Sequence, residues 1–403
     1  MPPLIMFVTP RHYRREGGFW ERDGGLLTVE GWRRGMNTAL VTCLGDPVTP
    51  HKGAPLIVGT LSDMSCPQWW RDHGPALVVL YAWGMPRYTS IAKAIRDAGI
   101  RLQVQFDSDG VVSPRVDPWL YFYSIYWTYR EHGYRNRLRA FPGILAGLNW
   151  AWHWINPFAY DRPMVRHLEQ ADWIALESPL AAIRVRQFLC DMARPSLADR
   201  VIVNPHPVAD DFRYHGKAKG DEIIAVGRWQ SAQKDPALLL RVLQEVLHRH
   251  PGWSATLIGS GDEFLKRTIS VWPEPLRRRV RILGKIPHEL LIPELQHARI
   301  LLATSRYESF HIAAAEALCC GASVVGPAHL ASFCHFVSVQ SGSLAVTRRC
   351  ADLVSAVSAE IHAWQTGMRD PEAISAYWRA SVGVGACMNT IATRAVEDHA
   401  RSL

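Results

Sequence analysis

Short apolar runs alternate with helix-period stretches along most of the chain. LIMFVT (4–9), TALVTCL (38–44), PALVVLY (75–81) and RLQVQF (101–106) are rich in Val, Ile and Leu on both faces. That is the pattern of parallel strands covered by helices on both sides. The second half repeats it with IIAVGR (223–228), ILLATS (300–305) and ASVVG (322–326). Helices fall between the runs. YTSIAKAIRDAG (88–99) closes on Gly99. Asp235 and Pro236 form an N-cap and first-turn pair, and apolar residues at 238, 239, 242, 243, 246 and 247 then share one helix face. HIAAAEAL (311–318) is a run of good helix formers that Gly321 stops. The chain from 370 onward reads as two further helical segments. Strands alternating with helices over 403 residues predict an α/β chain of doubly wound parallel sheets, with room for two or three domains.

Chemistry gathers where the second-half strands end. Glu308 falls just after ILLATS and Glu316 inside the following helix, at the edge of a parallel sheet where ligands bind. Eight helical steps would span roughly 12 Å, so the two carboxylates can meet different parts of one extended ligand. Between them the N–H groups near Ser309, Phe310 and His311 open a helix N-terminus, which favours a phosphate. Arg228 and Lys234 bracket the earlier strand–helix turn. A guanidinium can grip a diphosphate in bidentate fashion and an ammonium as a point charge. Hydroxyl-binding acids on either side of a phosphate cradle suit a nucleotide sugar. Exposed acids at a helix start and solvated surface cations are the plain alternative.

GR-WQSAQ-K (227–234) followed by ESFHIAAAEALCCGASVV (308–325) resembles the donor half of the retaining GT-B glycosyltransferases of family four, the glycosyl transferases group 1. ATLIGSGDE (255–263), VRILGKIP (280–287) and LQHARILLATSRYESF (295–310) resemble that family's segments in the same order. The resemblance implies a GT-B fold, two Rossmann-like domains facing each other across a cleft. It implies an acceptor-side domain over 1–208, a nucleotide-sugar donor domain over 209–379, and a final helix over 380–403 packing back onto the first domain. Arg228 and Lys234 would bind the diphosphate, Glu316 the ribose hydroxyls, and Glu308 the sugar near the reacting carbon. Gly17 and Gly18, at loop distance from the first run, would let backbone N–H groups approach donor and acceptor. ADWIALES (171–178) and RVIVNPHPV (200–208) resemble the last segments of the first domain. There the usual Asn-Gly turn is replaced by Asn204-Pro205-His206-Pro207, whose two prolines stiffen the connection.

Composition adds partners and place. Hydrophobic residues at 48% and charged ones at 20% are ordinary for a globular protein. The net charge of +8 favours anionic partners. No zinc-finger or RNA-binding aromatic signature is present, so nucleic acid is not expected. The eight cysteines show no CxxC pair and read as reduced thiols. No run reaches the roughly 18 apolar residues of a membrane span, and LIMFVTP is short for a signal sequence, with its arginines following it. A cytoplasmic location is expected, with peripheral membrane contact open. The stretch from Trp119 to Tyr160 interleaves aromatics with Arg130, Arg135, Arg137 and Arg139. It suits a membrane interface, a sugar-stacking acceptor cleft or a buried helical subdomain.

Two positions depart from the family's pattern. Asp107-Ser108-Asp109 ends a strand, where Asp-x-Asp can hold a divalent metal against a diphosphate, as in the GT-A fold. In the resembling family this strand end often carries a His-Asp pair, and Asp107 takes the place of that His. Asp107 then reads as a sugar or acceptor contact that accepts the acceptor's proton if its pKa is raised. The donor motifs in the second half favour this reading, so no metal and no cofactor beyond the nucleotide sugar is expected. His311 stands where the family usually has Gly, and its side chain either crowds the donor, contacts it, or swings outward. The expected function is metal-independent, retaining transfer of a sugar to an unknown acceptor, whether glycan, lipid-linked or small molecule. The alternatives are a catalytically silent nucleotide-sugar-binding or assembly subunit, and a GT-B nucleotide-sugar epimerase or phosphorylase.

Overall fold

The computed structural model describes residues 2–10, 20–43, 53–81, 86–132, 142–156 and 160–399. The chain divides into two compact units, one of Met1–Tyr121, Asn149–Ala209 and Ser381–Leu403, the other of Phe122–Leu148 and Asp210–Ala380. In the first unit seven parallel strands form one sheet: β1 (Ile5–Thr9), β2 (Thr38–Thr42), β3 (Leu56–Val58), β4 (Leu77–Tyr81), β5 (Arg101–Phe106), β6 (Trp173–Leu176) and β7 (Val201–Val203). Their order is β3-β2-β1-β4-β5-β6-β7, reversing direction across β1 and β4. The four apolar runs of the first half become β1, β2, β4 and β5. β3 carries no readable signal, because it is three residues long and half exposed.

Both faces of this sheet are covered, which is why its strands are apolar throughout. Met6, Val8, Val78, Leu80 and Val104 pack on one side with Trp70, Ile91, Ile95 and Phe188. Ile5, Phe7, Leu40 and Val79 pack on the other with Leu27 and with Val384, Cys387, Met388 and Ile391. Those last four lie on the helix Val384–His399, so this helix belongs to the first unit's core. Val208 and Val384 seal this return by backbone bonds, Val208 N–H to Val382 O and Val384 N–H to Val208 O, each 2.8 Å.

The second unit holds six parallel strands, β8 (Gly220–Val226), β9 (Ser254–Ile258), β10 (Val280–Gly284), β11 (Ala298–Leu302), β12 (Ser323–Pro327) and β13 (Gly342–Ala345), in the order β10-β9-β8-β11-β12-β13. The order reverses across β8 and β11, the strands whose following loops carry Arg228 and Glu308. This is the switch point at which open α/β sheets bind ligands. After β8 the helix Pro236–Arg249 starts with Pro236 in its first turn and Asp235 as N-cap, accepting from Leu238 N–H at 3.4 Å. Leu238, Leu239, Val242, Leu243, Val246 and Leu247 are all buried, as their spacing requires. Cys43, Cys319, Cys320 and Cys387 are buried thiols, while Cys66, Cys190 and Cys334 are exposed.

Candidate active site

The loop after β8 and the loop after β11 are tied to each other through residues 232–235 and 304–308. Arg306 N–H donates to Gln233 O at 2.8 Å. Arg306 Nε donates to Ala232 O at 3.1 Å, Gln233 Nε2 to Tyr307 O at 2.9 Å, and Thr304 Oγ1 to Lys234 O at 2.9 Å. Lys234 Nζ completes the row with an ion pair to Glu308 Oε1 at 2.5 Å, the two side chains 15% and 7% exposed. Burial alone would raise the Glu308 pKa. The Lys234 charge, then His311 and hydrogen bonds from Lys234 and Ser305, outweigh it and hold the carboxyl below its usual value. Sequence spacing placed Lys234 and Glu308 on one ligand, and the structure brings them into direct contact.

Arg228 lies on the same loop, with its Nη2 donating to Gln233 Oε1 at 3.3 Å. It borders a cavity of about 680 Å³, lined also by Arg130, Trp229, Gln230, Ser231 and Phe264. Glu316 sits half-buried in the helix Ile312–Cys319. Only residues from Ile312 onward are helical, so the straight eight-step rise from Glu308 to Glu316 does not hold. Residues 308–311 instead form a turn that ends at a left-handed His311.

That histidine is turned inward. Its φ of 66° lies where side chains other than glycine are uncommon, and its ring supplies the compensation. Nδ1 accepts from Ala314 N–H at 3.2 Å, capping the helix, and the ring meets Phe333 edge-on at 5.3 Å. Burial, reinforced by the Lys234 charge, lowers its pKa to about 4. The ring is therefore neutral near pH 7, and the accepting Nδ1 leaves the proton on Nε2. Nε2 lies 4.0 Å from Glu308 Oε1. The outward swing considered from sequence is not adopted. The phosphate cradle is also narrower than the sequence implied, because His311 takes up the Ala314 N–H. Phe310 is core, packed on Phe336 at 5.0 Å, whereas Ser309 is half-buried in the turn.

A second network braces these loops, and sequence reasoning missed it. The Asp235 carboxylate receives Arg306 Nη2 and Arg348 Nη2, each at 2.6 Å, besides capping its helix. Arg348 also donates to Thr304 O at 3.0 Å, Ser305 O at 3.2 Å and the Tyr123 hydroxyl at 3.0 Å. The Arg306 guanidinium lies 3.7 Å from the Trp127 ring centroid, close enough for a cation–π contact. Part of the aromatic stretch thus supports the loops of its own unit. Arg348 lies 113 residues from Asp235 in sequence, so no local pattern could announce the pair.

In the first unit Asp107 is exposed beyond the end of β5, beside the buried Glu177. Burial, then the neighbouring Asp107 and Asp23 carboxyls, push the Glu177 pKa well above the usual carboxylate range. Asp109 turns into its own loop, its Oδ1 accepting from Val111 N–H at 3.0 Å and its carbonyl from Arg184 at 2.9 Å. The two carboxyls of the Asp-x-Asp sequence therefore serve different partners. Gly17 and Gly18 lie outside the described residues.

The glycosyl transferases group 1 model matches residues 220–361, the stretch that contains the loops after β8 and β11. A D-inositol 3-phosphate glycosyltransferase of Corynebacterium jeikeium is 36% identical over 107 residues, a match spanning 25% of this chain and 25% of that protein. Among solved structures, Anabaena Alr3699/HepE in complex with UDP superposes with a TM-score of 0.62 at 15% identity, covering 100% of both chains. The α,α-trehalose 6-phosphate synthase of Burkholderia multivorans gives a TM-score of 0.66 at 10% identity, over 100% of this chain and 98% of that one. Residues 220–361 thus match the glycosyl transferases group 1 model, within a chain whose solved neighbours share its GT-B fold.

Proposed function

We propose that this protein moves a sugar from a nucleoside diphosphate sugar to an acceptor hydroxyl, with retained anomeric configuration and with no metal on the diphosphate. The observation that carries this reading is the Lys234–Glu308 pair across two interlocked loops at the β8/β11 switch point, with Arg228 on the same loop as Lys234 and bonded to Gln233. Arg228 and Lys234 supply the positive charge for the leaving diphosphate, and such neutralisation is usually a large share of catalysis. Glu308 orients the sugar near the reacting carbon, and Glu316 binds the ribose. The acceptor attacks from the face the diphosphate leaves, and a diphosphate oxygen takes the acceptor proton. The Anabaena neighbour's complex with UDP makes UDP-sugars the first donors to try. Incubation with a panel of nucleotide sugars and acceptors, with mass spectrometry of products, tests transfer; NMR of the new linkage tests retention.

Because protein cations take the role of a metal here, calorimetric UDP binding should be the same with EDTA as with added Mn²⁺. Binding that vanishes in EDTA and returns with Mn²⁺ would overturn metal independence. A silent nucleotide-sugar-binding subunit is the second reading, favoured by the capped helix start at His311 and the closed Lys234–Glu308 pair. It would bind UDP-sugar and yield no product with any acceptor.

No helix among the described residues is long and apolar enough to cross a membrane. We further propose peripheral contact with an anionic bilayer through Trp119, Trp152, Trp154 and Ile155 of the first unit, exposed at 81%, 57%, 43% and 77%. Arg115, Arg162, Arg166 and Arg194 line, with Glu169 and Asp191, a cavity of about 1050 Å³ that Trp154 also borders. The cations outnumber the acids there although Arg115 pairs with Asp161 and Arg194 with Glu169, and aromatics beside cations suit that interface. Wild type should co-sediment with phosphatidylglycerol vesicles but not with phosphatidylcholine vesicles. A Trp119→Ser/Trp152→Ser double variant should lose most of that binding; unchanged sedimentation would remove the proposal.

A further inference from the structure

We propose that Asp23, Glu177 and His206 of the first unit hold a divalent first-row cation. Three segments far apart in sequence converge here. Asp23 opens the helix Asp23–Arg33, Glu177 follows the end of β6, and His206 lies three residues past the end of β7. One ligand atom from each side chain falls within 4.8 Å of the other two. His206 Nδ1 already contacts Asp23 Oδ1. A cation bound to both at about 2.0–2.2 Å needs only that the proton between them leave and the side chains part slightly.

A second observation points to a ligand. Glu177 and His206 are each only 4% exposed, and although the Glu177 side chain meets Asp107, its buried Oε2 has no hydrogen-bond partner among the described residues. That oxygen keeps unfilled acceptor capacity in a buried setting, and a cation between Asp23, Glu177 and His206, displacing the acid proton, would fill it. One imidazole with two carboxylates is a donor set that suits zinc or manganese, with zinc bound more tightly. Three protein ligands leave a coordination position for water or for a hydroxyl or phosphate oxygen of an acceptor. The cation would also pin the start of the helix Asp23–Arg33 to the carboxyl edge of the sheet.

The rival account is a proton shared between the Glu177 and Asp107 carboxyls, which lie within hydrogen-bonding reach. Metal content and thermal stability separate the two without any activity assay. The full chain is stripped with EDTA, dialysed against Zn²⁺ or Mn²⁺, desalted and analysed by inductively coupled plasma mass spectrometry. With 17 histidines and eight cysteines in the chain, background binding is subtracted with variants. Wild type should keep one more equivalent of zinc than Glu177→Gln, His206→Gln and Asp23→Asn, and only wild type should gain Tm on adding zinc. Asp23→Asn carries the test if the two more buried variants fail to fold, since the Asp23 side chain is 21% exposed. Equal zinc content and equal Tm response in wild type and the folded variants would overturn the site. So would a wild type that takes up no zinc while Glu177→Gln alone gains Tm, the result a shared proton requires.

Discussion

Lys234→Ala should lower turnover about a hundredfold, from a charge-assisted contact worth about 3 kcal/mol at the leaving diphosphate. It should also destabilise the fold, because it strands Glu308. The two side chains are nearly buried, and removing one member of such a pair leaves the other charge without compensation, at a cost of about 3 kcal/mol or more. The sign with pH distinguishes this from simple loss of packing. In wild type the Glu308 pKa is held below its usual 4.5, so the pair contributes stability above about pH 4.5 that is lost as pH falls through the lowered value. In the variant burial acts without Lys234 and raises the carboxyl instead. Its penalty is then absent below the usual value and grows as pH rises past it. The Tm gap between wild type and variant should therefore be wide at pH 7 and narrow towards pH 4. A gap that stays constant over that range would mean that Lys234 acts through packing alone. Arg228→Ala should weaken UDP binding with little change in Tm, since its guanidinium makes one hydrogen bond to Gln233.

The contrast between those two cations shows what the sequence could convey. Strands β8, β11 and β12 were legible because buried parallel strands read as unbroken apolar runs, and the helix after Asp235 because its apolar positions keep one face. Arg228, Lys234, Glu308 and Glu316 were legible as strand-end and helix-start residues. Their pairing was not. Whether Lys234 faces solvent, phosphate or Glu308 depends on how the loops after β8 and β11 lie against each other. That is set by Gln233, Thr304 and Arg306 through backbone contacts that leave no sequence pattern. His311 was visible as an anomaly, but its inward cap follows from a left-handed φ that only the folded turn defines. Asp235 announced itself as an N-cap and concealed its larger role, since Arg306 and Arg348 reach it from 71 and 113 residues away. The cluster of Asp23, Glu177 and His206 was hidden for the same reason: each residue is unremarkable alone, and only the sheet order brings their segments together.

Glu308→Gln and Glu316→Gln should separate the sugar from the nucleotide. Glu316 lies on the helix Ile312–Cys319, past the turn that carries Glu308. The neutral amide in Glu316→Gln keeps the shape but gives up the charge that strengthens hydrogen bonds to ribose hydroxyls. It should weaken UDP and UDP-sugar alike, by roughly tenfold for about 1.4 kcal/mol. Glu308→Gln acts differently, and the ion pair sharpens the expectation. Losing the carboxylate frees Lys234 from its 2.5 Å contact, so the ammonium can turn fully to the diphosphate. Bare UDP should bind as well as to wild type or slightly better. Turnover should nevertheless fall by two orders of magnitude or so, through lost orientation of the sugar and lost stabilisation of positive charge at its anomeric carbon. Calorimetry of UDP against an intact UDP-sugar, run on both variants, decides the matter. If Glu308→Gln damages UDP binding as badly as Glu316→Gln does, Glu308 serves the nucleotide through Lys234, and the sugar must lie elsewhere than beside the turn after β11.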